Sequence, residues 1–294
     1  MRILKLTPVI SAIFIVFLVA LLTQPKSMPV TQTYSEQESP LPSPSTIPSP
    51  SPKLQSKSSS TPILGAATAQ QSGFCLRVPL LLYHHIQPIS IAQQEGETNL
   101  TVSPEYFENH LAYLASTGYT TITVEQLASA LLNHQSLPPK SIVITMDDGY
   151  QDIYTYAYPI IQKYRVLVNL MIPTGLMGNP GYLDWGQLKE MAGSGLAFPY
   201  NHTWSHASLG KASPEKIEFE VITAQHQLEE QLGKRVSIFA YPYGSENSLV
   251  VEFLKSHGFI AALSTIPGFT QCDSFIMSIH RNRVGNAPLT SYGL

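Results

Sequence analysis

Charged side chains are scarce in this 294-residue chain: only 13% of its residues are Asp, Glu, Lys or Arg, and the formal net charge is −3. Proteins that bind nucleic acid usually carry a basic patch or stripe, and this balance predicts none. Cysteine is almost absent, with Cys75 and Cys272 the only two. In an exported protein they could form one disulfide that closes nearly the whole folded region; the alternative is two unpaired thiols.

The N-terminal segment lacks a clear cleavage site. Arg2 and Lys5 precede an uncharged apolar stretch over residues 6–22, which is the layout of an export signal, but no Ala-x-Ala cleavage site stands directly after it. The length of the stretch lies between that of a signal peptide and that of a short membrane anchor. We therefore predict a signal peptide or signal anchor over residues 1–23 and an extracytoplasmic location, with membrane contact if the segment stays uncleaved.

Residues 24–71 have little to bury, because Ser, Pro, Thr and Gln dominate them. Such a composition cannot offset the entropy of folding, and its prolines favour extended polyproline II. We expect a disordered linker that separates the N-terminal segment from a folded domain over residues 72–294.

Apolar strands and amphipathic helices alternate about seven times in the folded region, a pattern typical of α/β proteins with a parallel sheet. The fold class predicted is therefore α/β, a distorted (β/α) barrel of about seven strands. The strands are expected at residues 78–83, 142–145, 166–172, 196–201, 236–240, 259–264 and 276–284.

Two adjacent carboxylates, Asp147 and Asp148, follow the apolar strand at 142–145 and precede Gly149. Ligands of α/β folds bind beyond the carboxyl ends of the strands, so both acids should lie at the functional rim. Neighbouring residues of an extended chain point in different directions, so one carboxylate can hold a metal while the other faces a substrate. From these residues alone, a plain Asp-Asp-Gly surface turn is the alternative.

His202 and His206 have the spacing of the two histidines in the zinc signature H-E-x-x-H, but Thr203 stands where that signature has its glutamate. The base must therefore come from elsewhere, and Asp147 or Asp148 is the obvious supplier. Two imidazoles and one carboxylate leave coordination positions open, which is characteristic of a catalytic metal site.

Three ordered motifs resemble those of the polysaccharide deacetylases with a NodB homology domain, carbohydrate esterase family 4. They are TMDDG at 145–149, HTWSH at 202–206 and FAYPYG at 239–244. The flanking phrases LLYHHI, YFENHLAYLASTGY and GFIAALSTIPG are similar to the branch that contains the poly-N-acetylglucosamine deacetylases. The resemblance covers residues 78–284, nearly the whole folded region.

The resemblance implies a role for each motif residue. Asp147 would be the general base that deprotonates a metal-bound water, and the metal ligands would be Asp148, His202 and His206. The metal would lower the pKa of that water and polarise the acetyl carbonyl. The backbone N–H of Tyr243 would help to stabilise the oxyanion that hydroxide attack produces.

Two departures from the family pattern concern the base and the acid. Members commonly carry an arginine, which orients the base, at the position that Ala240 occupies; Arg281 or Arg283 could replace it. The usual Leu-x-His near the C-terminus is only loosely matched at 278–280. A histidine early in the domain of the poly-N-acetylglucosamine branch resembles His84, so His84 is the predicted general acid and His280 the second candidate.

Other residues have weaker claims to the site. His85 is expected to pack or hydrogen-bond structurally. Trp185, Tyr241 and His280 are candidate substrate contacts, although Asp184-Trp185 could equally be a helix cap followed by a core tryptophan. Four further histidines are expected at the surface or at helix boundaries: His110, His134, His226 and His257.

The resemblance implies a metal-dependent hydrolase that removes N-acetyl groups from an extracytoplasmic amino-sugar polymer, of the poly-N-acetylglucosamine, chitin or peptidoglycan type. The predicted partner is this acetylated glycan. The predicted cofactor is one divalent metal, with zinc preferred and cobalt, nickel or iron also compatible with the ligand set. Two alternatives stay open: an O-acetyl esterase of the xylan type on the same fold, and a non-catalytic glycan-binding domain.

Overall fold

The computed structural model describes residues 73–294. The predicted signal peptide or anchor (1–23) and the predicted linker (24–71) lie outside the described residues. Within residues 73–294, no helix combines the length and hydrophobicity needed to cross a bilayer.

The strands of the described region are short. In chain order they are β1 (Cys75–Arg77), β2 (Leu80–Tyr83), β3 (His85–Ile86), β4 (Thr101–Val102), β5 (Thr120–Thr121), β6 (Ser141–Met146), β7 (Val168–Ile172), β8 (Ala197–Asn201), β9 (Ile238–Ala240), β10 (Ala261–Leu263), β11 (Thr270–Cys272) and β12 (Asn282–Arg283). Every residue of β2, β6 and β7 is buried. Their unbroken apolar runs follow from this burial on both faces.

The main sheet is parallel and has the strand order β10-β9-β8-β7-β6-β2-β12, with β5 paired beside β6. It curls into a half-barrel, which agrees with the predicted fold class. Ile279 bridges Leu263 at one edge, while Asn282 and Arg283 pair with Leu81 and Leu82 at the other. The segment 279–283 therefore touches both edges of the curled sheet.

In the described part of the chain, seven α-helices pack around the sheet: α1 (Ile89–Glu95), α2 (Pro104–Ser116), α3 (Val124–Leu132), α4 (Tyr158–Tyr164), α5 (Trp185–Gly193), α6 (Pro214–Leu232) and α7 (Ser248–Ser256). The sequence explains where several of them begin. Ser103 and Ser213 each cap a helix whose first residue is proline, and Thr123 forms a capping box with Gln126.

The core consists of three apolar clusters. One packs α2, α4 and α5 against one face of the sheet, a second includes α3 and residues of the opposite face, and the third packs α6 and α7 against β9 and β10. The sheet is thus covered on both faces, and the carboxyl ends of its strands carry the polar residues discussed below.

The structure corrects three expectations about local structure. The predicted last strand, 276–284, is a 3₁₀ segment (Asp273–Ser278) followed by the two-residue β12. The sequence predicts a helix over residues 152–164 that Pro159 interrupts, but in the structure Pro159 lies in the first turn of α4, directly after a π-helical turn (Ile153–Ala157), and does not end a helix. His110 is buried, with 1% of its surface exposed, since it bonds the Tyr83 hydroxyl and the Ala287 carbonyl.

Cys75 and Cys272 form a disulfide that joins β1 to β11, where the two residues are directly paired. β1 leads into the amino end of β2, so the bond lies at the end of the sheet opposite the carboxyl-terminal rim. The sequence left open either a disulfide or two unpaired thiols, and the structure has the disulfide.

Candidate active site

All three motifs and His84 lie at the carboxyl ends of neighbouring strands. His84 follows β2, Asp147 and Asp148 follow β6, and the HTWSH segment follows β8. Tyr83 pairs with Met146, so His84 lies beside Asp147 on the adjacent strand. The Asp147 N–H donates to the Tyr83 carbonyl at 3.0 Å, which extends this pairing by one residue.

Backbone conformation, as well as strand position, aims the motif side chains. Seven non-glycine residues of the described chain have positive φ, and four of them belong to the motifs: Asp148, Thr203, His206 and Tyr243. Such left-handed residues cost free energy and tend to cluster at functional sites. At Asp148 and Gly149 the chain turns sharply as β6 ends, so the two carboxylates point apart.

Asp147 is 3% exposed and is held by Arg281 through two parallel bonds. Arg281 Nη1 donates to Oδ1 at 2.7 Å and Nη2 donates to Oδ2 at 2.9 Å. Burial raises the pKa of Asp147, but the charge and hydrogen bonds of Arg281, together with the nearby His202, outweigh this and lower the pKa below its usual range. The carboxylate is thus kept ionised, as a general base requires.

Arg281 is itself immobilised. It is 1% exposed, and its Nε donates to the Ser264 carbonyl at 2.8 Å. Arg281 lies in the segment that touches both edges of the sheet, and its side chain crosses the interior to reach Asp147. Of the two arginines considered as replacements at the Ala240 position, Arg281 bonds Asp147, whereas Arg283 is exposed.

Asp148 lies between two histidines. Its Oδ1 is 3.3 Å from His202 Nε2 and 3.0 Å from His206 Nε2, and one ligand atom from each residue lies within 4.8 Å of the others. Within residues 73–294 this is the one group of three His, Cys, Asp or Glu residues with metal-binding spacing.

The donor set of this cluster fits a divalent metal. His202 Nδ1 donates to the Ala240 carbonyl at 2.8 Å, so a neutral His202 presents the lone pair of Nε2 toward Asp148. Asp148 Oδ1 is buried and has no hydrogen-bond partner. Burial lowers the pKa of His202, but Asp148 and Asp147, with the bond to the Ala240 carbonyl, together raise it by more, so the space beside Asp148 favours positive charge, either a proton or a metal ion.

The segment between the two histidines is held by a buried carboxylate on α6. Glu220 is fully buried and accepts hydrogen bonds from the Trp204 and Ser205 backbone N–H groups at 3.1 and 2.8 Å. It also accepts from the Ser205 hydroxyl at 2.6 Å. These bonds fix the turn that brings His202 and His206 to the same side. No motif in the sequence pointed to Glu220.

His84 and Tyr243 border the cluster. His84 is partly buried, and burial lowers its pKa while Asp147 and Asp148 act in the opposite direction. Tyr243 is 72% exposed, and its ring centroid lies 4.7 Å from that of His206. The Tyr243 ring therefore stands at the mouth of the site.

The three candidate substrate contacts all have partners within the protein. Tyr241 is fully buried and its hydroxyl bonds the Met277 carbonyl, so a substrate contact is excluded. The His280 ring stacks on Phe275, on the opposite side of the chain from Arg281. Trp185 follows the helix cap Asp184 and packs against the core, which is the alternative left open for it.

Comparison with known proteins agrees with this geometry. The polysaccharide deacetylase family model matches residues 134–262, a range that contains all three motifs. A Bacillus subtilis protein whose name places it among the polysaccharide deacetylases is 28% identical over 208 residues, covering 71% of each chain. The poly-β-1,6-N-acetyl-D-glucosamine N-deacetylase of Escherichia coli is 24% identical over 232 residues, covering 64% of this chain but only 34% of the relative.

Solved structures show the same relationship. A Streptococcus pyogenes deacetylase crystallised in complex with acetate superposes with a TM-score of 0.67 at 28% sequence identity, covering 71% of this chain and 92% of that one. Fold, motifs and relatives converge on the polysaccharide deacetylases with a NodB homology domain, carbohydrate esterase family 4: residues 134–262 match the polysaccharide deacetylase family model, and the folded domain is similar to these proteins in sequence and structure.

Proposed function

We propose that this protein is an extracytoplasmic, metal-dependent N-deacetylase of an N-acetylated amino-sugar polymer. The main support for the proposal is that a cation site and an ionised acid lie side by side at the carboxyl ends of the strands. Asp148, His202 and His206 form a cation site with open positions, and Asp147, ionised and held by Arg281, stands next to it.

Asp147 is the general base in this proposal. The two bonds from Arg281 occupy both carboxylate oxygens in the plane of the guanidinium and fix the orientation of the group. Each oxygen retains a lone pair, so Asp147 can take a proton from an attacking water while Arg281 remains bound.

His84 is the proposed general acid, which protonates the leaving amine. Its position beside Asp147, at the end of the neighbouring strand, puts a candidate acid and a candidate base at the same rim of the sheet. The backbone N–H of Tyr243 is the proposed donor to the developing oxyanion.

Asp148, His202 and His206 would hold the metal. When bound, a divalent cation at this position acts as a Lewis acid and lowers the pKa of a coordinated water. Two imidazoles and a carboxylate suit zinc, and also cobalt, nickel or iron.

An N-acetylglucosamine polymer is the proposed substrate. The Escherichia coli relative is named for its action on poly-β-1,6-N-acetyl-D-glucosamine, and it aligns with 64% of this chain. An O-acetyl esterase would use the same site residues, so the substrate must be tested directly.

Export is supported by two features of the chain. The Cys75–Cys272 disulfide suits an oxidising compartment. The N-terminal sequence, with Arg2 and Lys5 before an apolar stretch, has the layout of an export signal or anchor.

The deciding experiment measures acetate released by the full chain from β-1,6-linked N-acetylglucosamine oligomers, chitin oligomers, peptidoglycan and acetylated xylan. Release from N-acetylated substrates should stop with a chelator and return when a divalent metal is added back. Asp147→Asn should reduce kcat by about 10²–10⁴-fold, the range of general base catalysis.

His84→Gln tests the acid in the same assay: we expect lower kcat with unchanged metal content. Release from acetylated xylan alone would replace the N-deacetylase proposal with the esterase. Full turnover by His84→Gln would remove His84 from the mechanism.

A further inference from the structure

A cavity of about 410 Å³ opens beside the metal cluster, a volume within the range of small-molecule sites. None of the site residues named above lines it. Its walls include His85, Glu95, Glu97, Tyr150, Asp152 and Tyr182.

The cavity adjoins the active site through the chain itself. The Gly149 carbonyl accepts from the Leu183 N–H at 2.9 Å, and the Gln151 N–H donates to the Gly181 carbonyl at 2.8 Å. The cavity wall is therefore paired with the residues that directly follow Asp148. A polymer bound at the metal cluster can extend into this space.

One wall of the cavity is aromatic. The Tyr150 ring stacks on His85 at a centroid distance of 3.6 Å and on Tyr182 at 5.4 Å. Both tyrosines are partly exposed. Tyrosine offers an apolar ring face with a polar tip, which suits a sugar ring that has an apolar C–H face and hydroxyl edges.

The charge of the cavity is negative. Three carboxylates line it, those of Glu95, Glu97 and Asp152, and its lining includes no Lys or Arg. Burial lowers the pKa of His85, but Asp152 and Glu97 raise it by more, so a protonated His85 offsets one of the three negative charges and the balance stays negative. Glu95 receives one bond, from Gln87 Nε2 at 3.3 Å. A neutral N-acetyl group gains little from such an excess of acceptors, whereas an ammonium group forms charge-assisted hydrogen bonds with it.

A buried histidine supplies the second, independent sign of a ligand. His85 is 5% exposed; its Nδ1 lies 2.5 Å from Asp152 Oδ2. Its Nε2 is 2.8 Å from Glu97 Oε2, but outside hydrogen-bond geometry, and it has no hydrogen-bond partner. This leaves an unsatisfied buried nitrogen in the cavity wall, which a hydroxyl of a bound sugar can satisfy.

We propose that this cavity binds a de-N-acetylated sugar residue, with its ring on Tyr182 and its ammonium group at Glu95 and Glu97, next to the residue being deacetylated. The inference rests on the proposed function, because it concerns the same polymer. Its consequence is a preference for partly deacetylated chains, so that deacetylation extends from free amines already present.

Binding of two matched probes tests the proposal: fully de-N-acetylated and fully N-acetylated β-1,6-linked oligomers, titrated by calorimetry into the full chain. The de-N-acetylated oligomer should bind more tightly. Glu95→Gln and Glu97→Gln should each weaken its binding by about fivefold, the upper range for a partly exposed charge pair, and leave the N-acetylated oligomer unaffected. The surface variant Glu252→Gln, outside the cavity, should bind as the unmodified protein does.

Salt provides a second readout that does not depend on any variant. Raising the ionic strength from 0.05 to 0.5 M should reduce the preference for the de-N-acetylated oligomer, because salt screens exposed charges. Equal affinity for both oligomers, or a preference that both Gln variants and high salt leave intact, would overturn the amine subsite.

Activity separates this proposal from the proposed function. In one outcome, no N-acetylated substrate releases acetate, but the de-N-acetylated oligomer still binds in a way that depends on Glu95 and Glu97. The N-deacetylase proposal is then wrong and the amine subsite remains supported. In the other outcome, acetate is released, but KM is the same for partly and fully acetylated oligomers, both in the unmodified protein and in the two Gln variants. The amine subsite is then wrong and the N-deacetylase proposal remains supported.

Discussion

At the scale of single residues, the pairing of Arg281 with Asp147 explains how this chain manages without an arginine at position 240. Ala240 is fully buried and uses its carbonyl to accept from His202. The guanidinium comes instead from a residue 134 positions beyond Asp147. The proposed base, Asp147, is therefore oriented by an arginine from another part of the chain.

Arg281→Lys should lower kcat by about tenfold or more, because a lysine keeps the charge but loses the two-point contact and so forfeits part of the general base contribution. Arg281→Met leaves Asp147 buried without a partner, and should also reduce the free energy of unfolding by about 3 kcal/mol. Acetate release and denaturant titration measure the two effects.

The matched control is Arg283→Lys, two residues along the chain and exposed. It should leave both quantities within experimental error, and metal content should be unchanged in all three variants. If Arg281→Lys and Arg283→Lys lowered kcat equally, the orienting role of Arg281 would be wrong.

At the scale of elements, the metal-binding geometry depends on helix α6 as well as on the strands. β8 delivers His202, but the left-handed turns at Thr203 and His206 are stable only while the loop amides have acceptors. Asn201 Oδ1 accepts from the Thr203 N–H at 2.9 Å, and Glu220 on α6 accepts from the next two N–H groups. The helix thus serves as a rigid support for the ligand loop.

Glu220→Gln should weaken metal binding by about 10-fold, since groups that orient metal ligands typically contribute about 10–100-fold in affinity. A glutamine retains one acceptor oxygen but loses the second and the negative charge. Competition with a chromogenic chelator measures the metal affinity directly, independent of turnover.

Glu218→Gln is the matched control, because Glu218 is an exposed residue of the same helix. The metal affinity of this variant should equal that of the unmodified protein. An equal loss in both variants would point to a general effect of charge on α6 and against support of the loop.

At the scale of the whole molecule, the two ends of the folded domain are joined by covalent and non-covalent contacts. The disulfide joins β1 to β11 across 197 residues of sequence. Segment 279–283, which follows β11, connects the two edges of the curled sheet and carries Arg281 to Asp147. The same C-terminal region thus contains the disulfide, from which we expect a contribution to stability, and Arg281, from which we expect a contribution to the proposed catalysis.

Replacing both cysteines with serine should lower the free energy of unfolding by about 2–5 kcal/mol, since the disulfide restricts the unfolded chain. The bond lies at the end of the sheet opposite the active site, so kcat at 25 °C should stay within about twofold, as for changes remote from a site. Thermal unfolding with and without reductant checks the first expectation and acetate release the second. A loss of kcat in a variant that is still folded would show that the disulfide also supports the site.

The sequence by itself determined the parallel α/β fold and the positions of the cation cluster and its neighbouring acid. These features follow from local signals: unbroken apolar runs predict buried strands, and Asp147, Asp148, His202 and His206 lie within a few residues of strand ends. The burial of individual side chains and the curling of the sheet do not follow from such local signals. The burial of Tyr241 and His110, the choice between Arg281 and Arg283, and the support from Glu220 depend on strand register and on how the sheet curls. Only tertiary structure decided them, because each is a contact between segments that the chain brings together after its elements have formed.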